Sequence, residues 1–521
     1  MPSKVLSGAI LNLEAKLVEV EVAGSRGLRF FEIVGLPDKA VEESRERINA
    51  AIKNIGFIPP RSSRLRVLVN LAPADLKKEG TLYDLPIAIG FLLESKQINF
   101  ISEDKIFVGE LALDGRLRPI NGALPISLLA QKENLKEIIL PKDNAAEAKL
   151  VFGKGHKKVK IIGAVDLKEV IDYLEGKKEI AEPVSNLRNI AKTIEPEIDF
   201  CWIKGQSYAK RALEIAAAGS HHLFMVGPPG AGKTILAKAM VSILPKPDWE
   251  EILEITKIYS VAGLLSPERP LMSCRPFRAP HHTASTAAII GGGNPLRPGE
   301  ITLAHRGVLF LDEFPEFHRD VLEALRQPLE DGKISVLRAK QGLCFPARFT
   351  LIAASNPCPC GYKDDPQREC RCFPSQINKY QRKLSGPLTD RMDIFIEVPA
   401  VKYEKLASNN LEESSLAIRK RVEIARKIQA ERFKNKYFKN RKILTNAEID
   451  LPNLKKICEL DSQSHNLLRK FIDSSQLSAR GYHRVLKLAR TIADLENSEK
   501  ISFSHLSEAL GYRIRNAALS A

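Results

Sequence analysis

The chain has 521 residues, enough for roughly three domains at ~150 residues each, and its 44% hydrophobic and 27% charged residues exclude a disordered or fibrous chain. Lys and Arg number 79 against 63 Asp and Glu, a net charge of +16 that suits a polyanionic partner, since a basic surface attracts phosphates and releases their counterions. Eight cysteines over this length exclude a disulfide scaffold. No stretch of about 18 apolar residues suggests a membrane span, and the opening MPSKVLSGAILNLEAKLVEVEV alternates like a strand instead of reading as a signal peptide. The expectation is a cytoplasmic protein with no membrane partner.

Residues 1–175 mix strands and helices. Val18–Val22 and Leu65–Leu71 read as strands and Lys39–Ile55 as an amphipathic helix. Residues 176–200 are polar, carry Pro183 and Pro196 and show little periodicity, as a linker does. From 201 to 400 helical patterns alternate with short apolar strands at His222–Val226, Val308–Leu311 and Thr350–Ala354, the pattern of a buried parallel sheet in an α/β layer fold. Residues 401–521 read as helical almost throughout, most clearly over Ala417–Phe433 and Ser478–Leu495.

The segment GPPGAGKT follows the apolar run HLFMV and precedes the helical ILAKAMVSIL. A strand, a glycine-rich turn and a helix start make a P-loop, which binds ATP. Gly227, Pro228, Pro229, Gly230, Ala231, Gly232, Lys233 and Thr234 form the cradle, whose backbone N–H groups and helix N-terminus attract phosphate. Lys233 is expected to reach the β- and γ-phosphates and Thr234 to hold Mg2+. Downstream, GVLFLDEF is an apolar strand ending in two carboxylates, so Asp312 is expected in the Mg2+ shell and Glu313 on the attacking water. Two solvated acids at a strand end are the alternative, disfavoured by the upstream P-loop. A third apolar strand, TLIAASNP, ends at Asn356, placed to orient the lytic water; a turn-starting Asn before Pro would look the same.

CPCG at 358–361 and CRC at 370–372 bring Cys358, Cys360, Cys370 and Cys372 into one loop after that strand. Two C-x-C pairs can close a tetrahedral thiolate site for Zn2+, although the common knuckle is C-x-x-C and free thiols are the alternative. Between Ala417 and Lys442 eleven Lys/Arg face two Glu, with Phe433, Tyr437 and Phe438 interleaved. Such a strip fits a nucleic-acid surface or, somewhat better, the solvated face of a helix.

The segments VGLPDKAVEESRERI (34–48), VNLAPADLKKEGTLYDLPIAIG (69–90), GPPGAGKT, RPFRAPHHTAS (275–285), GEITLAHRGVLFLDE (299–313), FPARFTLIAASNPCPCG (345–361) and SARGYHRVLKLARTIADLE (478–496) resemble the magnesium-chelatase-like AAA+ family, and within it the YifB/ComM proteins of bacteria. The similarity spans nearly the whole chain. It implies a homo-hexameric ring ATPase acting on single-stranded or branched DNA, as a helicase or branch-migration motor in recombination or natural transformation. A chelatase-type subunit that remodels a protein partner is the alternative. In such rings Arg391 of LSGPLTDRMD completes the neighbouring subunit's site, and Arg480, or Arg484 one turn later, is the lid arginine that contacts the γ-phosphate. The resemblance also implies an insertion at about Ile255–Thr302 and a hairpin at Gly332–Ala347 whose tip offers Arg338 and Lys340 to DNA phosphates, with a solvated basic turn as the alternative.

Residues 107–148 and the segment KKEGTLYDLPIAIG resemble the proteolytic domain of Lon, whose chemistry needs a serine nucleophile and a lysine base. Where the serine belongs the chain reads Thr81, Leu82, Tyr83, and no lysine lies between Pro119 and Gln131. No peptidase activity is expected. The predicted fold class is α/β, divided into a Lon-protease-like α+β domain without its dyad (1–175), the linker (176–200), an AAA+ P-loop parallel-sheet core (201–400) and an α-helical lid (401–521).

Overall fold

The computed structural model describes residues 2–520 except 28–29, 64, 153–158, 184–196, 294–295, 339–340, 364, 366–367, 385–387, 402, 408–411, 435–442 and 475–476. Most of the expected linker and the end of the basic strip, with Tyr437 and Phe438, therefore lie outside the described residues. The chain forms two compact units, residues 1–193 with 248–273 and 292–298, and residues 194–247 with 274–291 and 299–521.

The first unit is built on seven strands: β1 (Ser3–Leu11), β2 (Glu14–Arg26), β3 (Phe30–Val34), β4 (Leu65–Ala72), β5 (Lys105–Phe107), β6 (Glu137–Pro141) and β7 (Lys160–Ala164). They form one 7-stranded sheet in the order β3-β4-β2-β1-β5-β6-β7. The β1–β2 and β2–β4 pairs are antiparallel, while β3–β4 and the run β1-β5-β6-β7 are parallel. Alternation along β2 puts Val18, Val20 and Val22 in the core, as the period-2 pattern requires. The helix Lys39–Asn54 starts where the Asp38 carboxylate accepts the Val41 N–H at 2.9 Å. Its Arg47 forks onto buried Asp84, Nε to Oδ2 at 2.7 Å and Nη2 to Oδ1 at 3.0 Å. Desolvation pushes Asp84 up to about 6 against the pull of that guanidinium. Thr81, the residue expected at the serine's place, hydrogen-bonds Glu110.

The helix Trp249–Ala262 lies within the 201–400 stretch of the sequence but packs in this unit. Asp248 and Glu251 close a reciprocal capping box at its start, and Gly263 ends it at φ 70°. Near its end the Ser260 hydroxyl donates to Glu147, which is 5% exposed and also takes the Leu124 N–H at 2.8 Å. Leu271 closes a small apolar cluster with Leu124, Leu150 and Val151.

The second unit carries β8 (Leu223–Val226), β9 (Phe277–Arg278), β10 (Val308–Leu311), β13 (Thr350–Ser355) and β14 (Ile394–Glu397) in a sheet of order β9-β10-β13-β8-β14. All its pairings are parallel. The residues of β8, β10 and β13 are buried throughout, which is why they read as unbroken apolar runs. Between β10 and β13 an antiparallel hairpin joins β11 (Lys333–Arg338) and β12 (Gln341–Pro346), pairing Arg338 with Gln341. The carboxy-terminal part is helical, with Ser415–Phe433, Ala479–Leu495 and Phe503–Ser520 as its long elements. On the first of these, Arg419 donates to Ser242 O, Arg421 to Glu214 and Glu413, Arg426 to Ala217 O and Arg432 to Asp494. These four arginines of the basic strip are thus engaged with neighbouring elements of the protein.

A buried polar network links the strand starts to helix Ala479–Leu495. Asp393 accepts from Arg484 at 2.5 Å and from the His222 N–H at 3.0 Å, with His221 Nδ1 3.4 Å away. His221 Nε2 meets Thr491 Oγ1 at 2.7 Å, and Asn446 ties Thr491 to Asp494. The His222 ring accepts the Leu351 N–H at 3.1 Å through Nδ1. That bond needs an unprotonated nitrogen, and desolvation pulls the imidazole from 6.5 down to about 4. The unfolded chain binds the proton first, so stability is expected to fall by up to about 3 kcal/mol as pH drops from 6.5 towards 4. Denaturant melts at pH 7 and pH 5 check this; equal midpoints would refute it.

Candidate nucleotide-hydrolysis site

The site is assembled at the carboxyl ends of β8, β10 and β13. Strand β8 feeds the turn Gly227–Gly232, which opens the helix Lys233–Ile243. Gly227 can only be glycine, because a Cβ there would meet Val398 O at 2.2 Å. Gly230 and Gly232 take φ of 77° and 89°, the left-handed region that curls backbone N–H groups towards one point.

Lys233 is 8% exposed, and its Nζ donates to Gly227 O at 2.7 Å, Pro228 O at 3.0 Å and Asn356 Oδ1 at 3.1 Å. One ammonium thus joins the loop to the end of β13. Desolvation lowers its pKa, while Asp312 and Glu313 act the other way. Thr234 Oγ1 donates to Asp312 Oδ2 at 2.8 Å, so the hydroxyl and the carboxylate converge from two elements. That pair of oxygen donors fits a hard cation such as Mg2+, which keeps most of its waters and takes one or two protein oxygens besides phosphate. Lys233, Thr234, Asp312, Glu313 and Asn356 are therefore brought together.

Glu313 occupies φ 50°, unusual for a residue with a side chain, and its Oε2 lies 3.1 Å from His282 Nδ1. The His282 ring packs on His281 with centroids 4.1 Å apart. Sequence reasoning missed this contact: HH within RAPHHTAS was the only mark, and nothing in its spacing pointed to Glu313.

Three other expected residues lie apart from this group. Arg391 is buried in a 3-10 turn and ion-paired with Glu330. Arg484 is committed to Asp393. Arg480, one turn earlier, is exposed and makes no hydrogen bond or ion pair among the described residues. Arg338 sits at the hairpin end, where its backbone alone is described, and Lys340 lies outside the described residues.

Immediately beyond Asn356, Cys358 Sγ is 3.4 Å from Cys360 Sγ and 3.7 Å from Cys370 Sγ, and Cys360 to Cys370 is 3.6 Å. Cys372 accepts the Cys360 N–H at 3.4 Å, and all four sulfurs lie within 4.8 Å of one another. A disulfide needs ~2.05 Å between sulfurs. Tetrahedral Zn–S bonds of ~2.3 Å put their sulfurs roughly 3.8 Å apart, close to what is seen. The backbone N–H of Tyr362, with that of Arg371, brings the Cys360 thiol down to about 6. The donor set fits Zn2+.

Comparison with known proteins agrees with this geometry. Residues 199–406 match the family described as magnesium chelatase, subunit ChlI; residues 18–144 match subunit ChlI of Mg-chelatase, and residues 412–513 its C-terminal part. The chain is 42% identical to competence protein ComM of Haemophilus influenzae over 515 residues, 98% of this chain and 97% of that one. It is 41% identical to the YifB protein of Escherichia coli K12 over 98% of this chain and 97% of the relative. A weaker likeness, 24% over 63% of this chain and 91% of the relative, joins it to the magnesium-chelatase 38 kDa subunit of Rhodobacter capsulatus. With full-length similarity of that order and a P-loop site assembled on a parallel sheet, the chain belongs to the YifB/ComM family of chelatase-like AAA+ ATPases.

Proposed function

We propose that this ATPase is the subunit of a cytoplasmic homo-hexameric DNA motor that moves single strands or branched junctions, as a helicase or branch-migration enzyme in recombination or natural transformation. The observation that carries the reading is its similarity, over 98% of its length, to a protein named for competence. The net charge of +16 supports a polyanionic partner.

In this reading Gly227–Thr234 cradle the ATP phosphates and Lys233 turns its ammonium from the loop carbonyls to the β- and γ-phosphates. Thr234 and Asp312 hold Mg2+, which supplies charge neutralisation at the phosphates when bound. Glu313 polarises the attacking water and Asn356 orients it. Arg391 completes the next subunit's site. Arg480 is the lid arginine, a choice supported by Arg484 being held on Asp393. Arg338 and Lys340 contact DNA phosphates from the hairpin. Cys358, Cys360, Cys370 and Cys372 hold a structural zinc ion, to be tested as one equivalent of zinc per chain in protein purified without chelator. The predicted division into a Lon-like domain, linker, core and lid is kept as part of the proposal.

A second reading, a chelatase-type subunit that remodels a protein partner, is favoured by the ChlI family matches. ATPase and strand-displacement assays on forked and four-way DNA separate the two. Stimulation by DNA with strand displacement is expected; absence of both would refute the motor.

A further inference from the structure

The cysteine loop is placed where a purely structural crosslink need not be. Asn356 follows the last residue of β13, and Cys358 comes two residues later, 0% exposed. The turn that continues from it reaches Gly361 at φ 86°. A Cβ on Gly361 would stand 2.6 Å from Pro229 Cδ and 3.7 Å from Asn356 Cγ, so this turn presses on both the P-loop and the Asn356 side chain. Asn356 in turn holds Lys233 through its Oδ1 at 3.1 Å. After Cys372 the chain enters the helix Pro374–Leu384, whose Tyr380 is 8% exposed with its hydroxyl facing the Asn356 backbone. Asn356 thus has three neighbours, and two of them belong to the cysteine segment: the Gly361 turn lies within it, next to Cys360, and the Tyr380 helix begins two residues after Cys372.

Among the described residues the loop is held across by its sulfurs and by Arg368, which donates to the Tyr362 hydroxyl at 2.7 Å and lies over its ring. Cys358 and Cys360 meet Cys370 across the loop at 3.7 and 3.6 Å, and the Cys360 N–H donates to Cys372. Thiol–thiol contacts are weak, whereas four thiolates on one ion fix both ends of the loop at once.

We infer that the four-cysteine loop is a zinc-dependent positioning device for ATP hydrolysis: metal in it seats the Gly361 turn on Pro229 and the Tyr380 helix on Asn356, holding Asn356 in reach of Lys233 and the γ-phosphate. The inference rests on two parts of the proposed function, zinc in the loop and Asn356 on the lytic water. Metal here does no chemistry on ATP. It sets where a side-chain amide stands, and small displacements of such a group are costly to turnover.

The test uses the full chain. Cys370 and Cys372 are partly exposed, so Cys370→Ser/Cys372→Ser spares the buried Cys358. Zinc content, ATP binding, turnover and thermal midpoint are measured for wild type, the double variant, Asn356→Ala and the triple combination. Loss of zinc is expected to lower kcat about 10- to 100-fold in the wild-type background, with ATP affinity changed by no more than about twofold. In the Asn356→Ala background loss of zinc should cost little more, because coupled residues fail to add. Wild type stripped by a chelator and resupplied with zinc should recover its kcat, which an unfolded variant could not mimic.

Unchanged kcat after zinc loss overturns the inference and leaves the zinc site standing. A full further loss in the Asn356→Ala background also overturns it, since the metal would then act elsewhere. Unaltered turnover in Asn356→Ala itself removes the role given to Asn356. Protein that contains no zinc as isolated removes the zinc reading and the inference with it.

Discussion

Glu313→Gln is expected to lower ATP turnover by about 10²- to 10⁴-fold while leaving ATP binding in place. The carboxylate is the only acid of the group not engaged with the cradle: Asp312 takes the Thr234 hydroxyl and the Glu313 N–H, whereas the Glu313 side chain points to His282. Gln keeps the shape and can still hydrogen-bond, but cannot draw a proton from water. Phosphate release and nucleotide binding, measured on the same protein, check the split. Weakened binding in step with turnover would mean that Glu313 belongs to the cradle instead.

Asp393→Ala should destabilise the second unit by about 3 kcal/mol, because it leaves the half-buried Arg484 guanidinium and the His222 N–H without their partner. Asp393 is 2% exposed. Desolvation works to raise its pKa, but Arg484 and His221 outweigh that and hold it well below the usual carboxylate range. A depressed carboxylate contributes stability above its unfolded pKa and loses it as pH falls through the folded one. Against wild type, the variant's deficit is therefore expected to be full at neutral pH and to shrink only in strong acid. Thermal melts across pH read this directly; a midpoint within a degree or two of wild type at pH 7 would refute it.

The elements that were legible in the sequence are those decided by local rules. The P-loop needs a strand, glycines and a helix start in succession, and all three are contiguous. Strands buried on both faces are unbroken apolar runs, so β8, β10 and β13 could be read off one by one. The helices Ser415–Phe433 and Ala479–Leu495 came out where their periodicity put them, whereas the hairpin before β13 was expected from the family resemblance alone. What stayed hidden depends on contacts far apart in the chain. Asp393 lies 171 residues from His222 and 91 from Arg484, and no spacing announces such a trio. His282 reaches Glu313 from a loop, where neither period 2 nor period 3.6 applies. Arg484 looked as available for the lid role as Arg480 until its partner was seen. The four cysteines were visible as a pattern; that their sulfurs converge within 4.8 Å was not.

The helix Trp249–Ala262 has a practical consequence for anyone who wants to cut the molecule. Because this helix and residues up to 273 pack with residues 1–193, neither unit is a continuous stretch of chain. A protein begun at residue 194 would keep that helix but lose Glu147, Leu124, Leu150 and Val151, the side chains that cover Ser260 and Leu271. Its freed apolar surface would invite aggregation, and a protease nick between the units would leave them still strung together by several peptide crossings. Deleting the front of the chain is therefore a poor way to ask what it does, and loss of activity in such a deletion would report on exposed grease before it reported on function.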